Sequence, residues 1–133
     1  MFSAFKTSDS GSFYDGDYLN NYDGFLTHRS DGNSFNLASG IFTSPRKGVF
    51  EFSAAITHGN KGFNSLIVEK SGIQVLKFSA RADSDSSNDD TLSFSWIMEF
   101  HQGDTIRLKV AAGRFVASSN YNWIFNGKFI RNI

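Results

Sequence analysis

The chain of 133 residues has no cysteine. A disulfide-free domain of this size is compatible with a reducing cytosol and with an oxidising exterior, so cysteine usage assigns no compartment. Proline occurs once, at Pro45, and no segment sustains a 3.6-residue apolar period, which leaves no amphipathic helix to build on. No run approaches the eighteen or so apolar residues of a membrane-spanning helix, and no membrane insertion is expected. The N-terminus lacks the basic and apolar regions of a signal peptide, which fits either a protein not exported in that way or a mature or trimmed form. The sequon Asn-x-Ser/Thr is absent too. Net charge is also missing: thirteen basic and thirteen acidic side chains cancel, which removes long-range attraction to nucleic acid or an anionic membrane as the main business of the chain.

What the chain has in excess is phenylalanine, at fifteen residues, with four tyrosines and two tryptophans besides. Aromatic side chains favour strands and large packed contacts. The length suffices for one domain that buries roughly two-thirds of its unfolded surface without metals or disulfides. Short alternating runs separated by Gly, Asn, Asp and Ser run from Ser3 to the C-terminus, and the pattern predicts an all-β domain over residues 1–133. Phe50, Phe52, Ala54 and Ile56 alternate with Glu51, Ser53, Ala55 and Thr57, the signature of a half-buried strand, and a corner containing Pro45 and Gly48 precedes it. Leu92, Phe94, Trp96, Met98 and Phe100 alternate in the same way with Ser93, Ser95, Ile97, Glu99 and His101. Further strands are expected near 3–5, 25–29, 34–36, 40–43, 63–70, 73–80, 103–110 and 122–131, with a turn-rich span over 7–21. Eight to ten strands at such intervals predict a two-sheet sandwich of jelly-roll type.

Several blocks are similar to those of the C1q globular-head domain, within the C1q and tumour-necrosis-factor-like superfamily. Phe35, Phe42, Gly48, Phe50 and Phe52 follow the family's order of aromatic, Phe, then Gly-x-aromatic-x-Phe. FHQGDTIRL (100–108) resembles the Leu-x-x-Gly-Asp-x-Val-x-Leu block, and IFNGKFI (124–130) resembles the closing strand. Ser3-Ala4-Phe5 and the turn of residues 68–72 match more loosely. At residues 22–28 the chain departs: His28 stands where the family has asparagine and lies two residues further from Phe35, so a longer loop is expected around 29–33. The collagen-like Gly-X-Y stalk of many members is missing from the chain. The resemblance implies a jelly roll, a homotrimer or heterotrimer, an extracellular setting and no catalysis.

RADSDSSNDD (81–90) gathers Asp83, Asp85, Asp89 and Asp90, and clustered carboxylate oxygens suit the hard Ca²⁺ ion. It is no EF-hand, because Asn88 and Phe94 stand where that loop needs Gly and Glu. In the resembled family this loop lies near the trimer apex and binds calcium in some members; the alternative is a solvated acidic loop. YDGDYLNNYDG (14–24) offers Tyr14, Asp15, Tyr22 and Asp23 as aromatic faces and carboxylates for a sugar or protein ligand, although turns use these same residues for backbone reasons. Small side chains at Ser53, Ala55 and Thr57 and an exposed Ile97 suit a trimer interface, and Tyr121 and Trp123 either line it or fill the core. The three histidines have neither a metal-ligand spacing nor a nucleophile motif beside them. The expectation is a non-enzymatic trimeric module that binds carbohydrate or protein ligands multivalently. The rivals are a cytokine-like signalling ligand and a structural trimerisation head.

Overall fold

A computed structural model of the chain describes residues 1–7, 12–27, 34–59, 62–82, 90–117 and 122–133. Among these are twelve strands: β1 Phe2–Lys6, β2 Ser12–Tyr14, β3 Gly24–Thr27, β4 Phe35–Asn36, β5 Ile41–Thr43, β6 Gly48–His58, β7 Gly62–Lys70, β8 Ile73–Ala82, β9 Asp90–Phe100, β10 Thr105–Ala112, β11 Arg114–Val116 and β12 Trp123–Arg131. They form two sheets with every pairing antiparallel, one of seven strands in the order β2-β11-β6-β12-β1-β3 with β9 on the remaining side of β6, the other of five in the order β4-β5-β10-β7-β8. The neighbours of β6 are distant in sequence, which is the crossed connectivity of a jelly roll.

The inner faces carry the core. From the larger sheet come Phe2, Phe50, Phe52, Ile56 and Phe125, from the smaller one Phe42, Leu66, Val68, Ile106 and Leu108, all buried. Phe42 meets Phe50, Phe52 and Phe100 edge-on at 5.5, 5.2 and 6.1 Å, and Phe52 stacks on Trp96 at 5.1 Å. Such offset and T-shaped arrangements place ring edges against ring faces, which the ring quadrupoles favour. This packing is where the excess of phenylalanine goes.

The corner before β6 folds as the sequence predicts, with Ser44 Oγ donating to the Arg46 carbonyl at 2.7 Å and Gly103 N–H to the Ser44 carbonyl at 2.9 Å. Gly48 is required by packing and not by the backbone freedom that a glycine at a corner suggests. Its backbone is not left-handed; instead a Cβ there would collide with Phe129 and lie 2.9 Å from the Arg131 carbonyl. Glycine lets β12 approach this closely.

Three strand-level expectations need correction. Thr57 is buried, not outward, because β6 passes beneath other chain at its end and the Thr57 hydroxyl donates to the Asn122 carbonyl at 3.3 Å. Strand β2 lies inside the span expected to be only turns, and β11 was not expected at all. Each has three residues, too few for alternation to register, and they pair through Phe13 and Phe115.

Candidate binding and assembly surfaces

The outer face of the larger sheet is built by strict cross-strand register. Ser53 lies between Ser95 on β9 and Asn126 on β12, Ala55 between Ser93 and Ile124, and Glu51 between Ile97 and Lys128. Period-two alternation puts these side chains on one side, away from the core. Ser53, Ala55, Ser93, Ser95, Ile124 and Asn126 line a shallow concavity of about 460 Å³. Small side chains leave this space open. Ser3 Oγ donates to Asn126 Oδ1 at 2.5 Å and Asn126 Nδ2 to Ser53 Oγ at 3.2 Å, a polar line across three strands. Glu51 and Lys128 pair at 3.3 Å beside it, and Ile97 stands 62% exposed. Nearby, β8 and β9 are the edge strands of their sheets, and Phe78 stacks on Phe94 at 4.4 Å between them. Phe94 and Met98 share the inward face of β9 with Trp96, yet both remain half-buried.

Trp123, expected either in an interface or in the core, belongs to the core. It is fully buried, its indole N–H donates to the Val116 carbonyl at 2.6 Å, and its ring packs on Phe13. A side chain enclosed within the protomer has no surface left for a neighbour. Tyr121 lies outside the described residues.

The four ligand candidates of residues 14–24 do not share a surface. Tyr14 is 54% exposed at the end of β2, and Asp15 is exposed beside it. Tyr14 N–H donates to Asp17 Oδ2 and Asp17 N–H to the Tyr14 carbonyl, both at 2.8 Å, which closes a tight turn. Tyr22 is instead a core residue, packed on Phe35 at 5.3 Å and Trp123 at 6.2 Å, with burial pushing its hydroxyl pKa up. The segment 16–22 crosses the edge of the smaller sheet. Gly16 and Leu19 N–H groups donate to the Val110 and Leu108 carbonyls and Tyr22 N–H to that of Leu37, so Leu19 and Tyr22 dip inward. Asp23 is exposed and accepts from Thr7 N–H at 2.6 Å and the Thr7 hydroxyl at 3.2 Å, a turn-closing role.

Asp90 opens β9 directly opposite His58; Asp83, Asp85 and Asp89 lie outside the described residues. Among the described residues no group of three or more His, Cys, Asp or Glu could hold a metal ion. His58 is buried against Phe115, and its Nδ1 has no hydrogen-bond partner. Burial lowers its pKa, and the Asp90 carboxylate opposes that shift without cancelling it. His101 is an exposed turn residue whose backbone N–H donates to Asp104 Oδ2.

Two features escaped the sequence. Lys6 is fully buried, its ammonium donating to the Asn21 carbonyl at 2.6 Å and lying 5.8 Å from the Trp123 ring; burial lowers its pKa, with Asp23 pulling the other way. It occupies an inward position of β1 and was readable as such only from the alternation of Phe2, Ala4 and Lys6. The second is a basic outer face on the smaller sheet, where the Arg107 guanidinium lies 3.4 Å from the Tyr18 ring centre.

The C1q domain family matches residues 7–130, nearly the full chain. The chain belongs to the C1q domain family. No curated protein matches it in sequence. Among solved structures, the globular domain of zebrafish complement 1qA protein is 18% identical, covering 99% of this chain and 98% of that one at a TM-score of 0.67. Eiger TNF from S. frugiperda is 10% identical, with 99% and 94% covered and a TM-score of 0.73. Murine APRIL is 12% identical, with 96% and 98% covered and a TM-score of 0.69. At such identities the likeness is one of fold, and this C1q domain shares its jelly roll with all three.

Proposed function

We propose that this C1q domain is a non-enzymatic, homotrimeric recognition module that binds carbohydrate or protein ligands through several weak contacts at once, in an extracellular setting. The observation that carries the reading is the outer face of the larger sheet: a shallow concavity lined by Ser53, Ala55, Ser93 and Ser95, with Ile97 exposed at its side. A large exposed apolar side chain beside small ones is explained when a second protomer covers it. The β8/β9 side of the sandwich, with Phe78 and Phe94 only partly covered, supplies an apolar counterpart for that face on a neighbouring copy. Three linked sites turn weak single contacts into stable attachment, because the second contact is made at high effective concentration.

Light scattering at micromolar protein is expected to give three times the 14.8 kDa protomer mass. Ile97→Glu is expected to give monomers that keep their fold, since the side chain is outside the protomer core. A monomeric wild type would refute the assembly. Screening the trimer on a glycan array and on cell-surface proteins separates the ligand classes: a single cognate receptor would replace the recognition reading by the cytokine-like one, and a stable trimer that binds neither would leave a structural head. Calcium at the connection between β8 and β9 is part of the proposal on the strength of its carboxylates in sequence.

A further inference from the structure

The chain is neutral as a whole, but its charges are not evenly laid out. Strands β7, β8 and β10 together carry five cations, Lys70, Lys77, Arg81, Arg107 and Lys109, and a single acid, Glu69. Lys70 turns to the sheet's end, where it donates to the Glu99 carbonyl. The other four cations lie on the outer face of the smaller sheet, alternating with the core-facing Leu108 and Val110 on β10 and with the half-buried Leu76, Phe78 and Ala80 on β8. Register fixes their spacing. Lys77 and Lys109 both pair with Ile67 from opposite sides, so their backbones stand about 10 Å apart across the sheet. Arg81 lies four residues along β8 from Lys77, about 13 Å away.

The acid on this face is already engaged. Glu69 accepts from the Tyr18 hydroxyl at 2.9 Å and lies 3.9 Å from the Lys109 ammonium. Tyr18 in turn holds the Arg107 guanidinium over its ring, with the Lys109 ammonium 5.3 Å from the ring centre. The two cations are thus held in place by an aromatic ring, which carries no charge to cancel theirs. Apolar surface separates the charges: Phe63, directly opposite Arg81 and 64% exposed, and the half-buried Ile67.

We propose that the outer face of the β7-β8-β10 sheet is a docking surface for a sulfated polysaccharide. The charge complementarity is with an anion that recurs along a chain, since the backbone positions that carry Lys77, Lys109 and Arg81 are spread about 10 and 13 Å apart over the face. The C–H faces of sugar rings between the sulfates are matched by Phe63 and Ile67. Single-stranded nucleic acid fits less well: successive bases ask for a row of open aromatic faces, and among the described residues of this face Arg107 covers the Tyr18 ring, which leaves Phe63 by itself. This names a ligand for the recognition reading above, but the face is complete within one protomer and does not depend on the trimer.

The test is binding of the full chain to heparin, measured at several salt concentrations. Lys77→Gln with Lys109→Gln is expected to weaken binding at least tenfold and to flatten its salt dependence. Lys47→Gln with Arg131→Gln, which removes the same charge elsewhere, is expected to change it less than twofold. Circular dichroism and light scattering on the same samples report fold and assembly separately, so a monomer that binds heparin through this face would sink the trimer and keep the site. The site is overturned if heparin does not bind at low salt, if both double variants weaken binding equally, or if single-stranded DNA competes as well as heparin does.

Discussion

Phe52 and His58 are six residues apart on one strand, and both are buried. Phe52 is enclosed by Phe42, Trp96, Phe100 and Phe125, and none of these rings can collapse far without leaving its own partners. Phe52→Ala is therefore expected to cost about 3–5 kcal/mol, read from chemical denaturation; a loss below about 1 kcal/mol would show a site that closes over the cavity. His58 predicts a pH dependence. Its pKa in the folded protein lies below the ordinary value near 6.5, so the unfolded chain takes up a proton first as the pH falls. Its contribution is present in full above pH 6.5 and is lost as the pH falls from there through the lowered folded value. Melting temperatures between pH 7.5 and 5 are expected to fall more steeply in the wild type than in His58→Phe, and parallel curves would remove His58 from that account.

At the scale of the element, the connection between β8 and β9 is the place for a cation test. Asp83, Asp85, Asp89 and Asp90 put four carboxylates within eight residues, and their mutual repulsion is relieved by a divalent ion or by salt. Under the calcium proposal, millimolar Ca²⁺ is expected to raise the melting temperature, Mg²⁺ at equal ionic strength to do less, and Asp89→Asn with Asp90→Asn to abolish the rise. A melting temperature unmoved by chelator, with no calorimetric heat, would leave an ordinary acidic connection. Edge strands show a different logic. β8 and β9 are ten and eleven residues long, and the proposed trimer covers the apolar flank between them, whereas the short β2 and β4 are edges too small to recruit a stray strand.

For the whole molecule, the two sheets present outer faces of opposite character. One is small-residued and carries Ile97; the other is basic and carries Phe63. In the proposed trimer the first faces inward to other copies and the second stays free for ligand, three times over. Ile97→Glu is expected to shift the light-scattering mass to that of a protomer without altering heparin binding per face at low ligand density. At high density it should lose the gain that comes from linked sites. Equal avidity for monomer and trimer would argue that assembly has no part in recognition.

The fold class, the long strands and the faces of β6 and β9 were legible in the residue pattern, because period-two alternation over ten or so residues leaves one register that buries Phe50, Phe52, Trp96 and Phe100 together. That pattern also marked the family through Phe42, Gly48 and the 100–108 block. The shorter pieces take their places from long-range contacts. Tyr22 stands in a turn-rich sequence and Trp123 suits an interface as well as a core, but the hydrogen bonds of Gly16 and Leu19 to β10 and of Tyr22 to Leu37 draw the first inward, and the Val116 carbonyl receives the second's indole N–H. Lys6 is charged and buried because its ammonium finds the Asn21 carbonyl, a partner fifteen residues away that no local pattern announces. The basic face has the same origin: Lys77 and Lys109 are thirty-two residues apart in the chain, and only pairing of β7 with both their strands makes them neighbours.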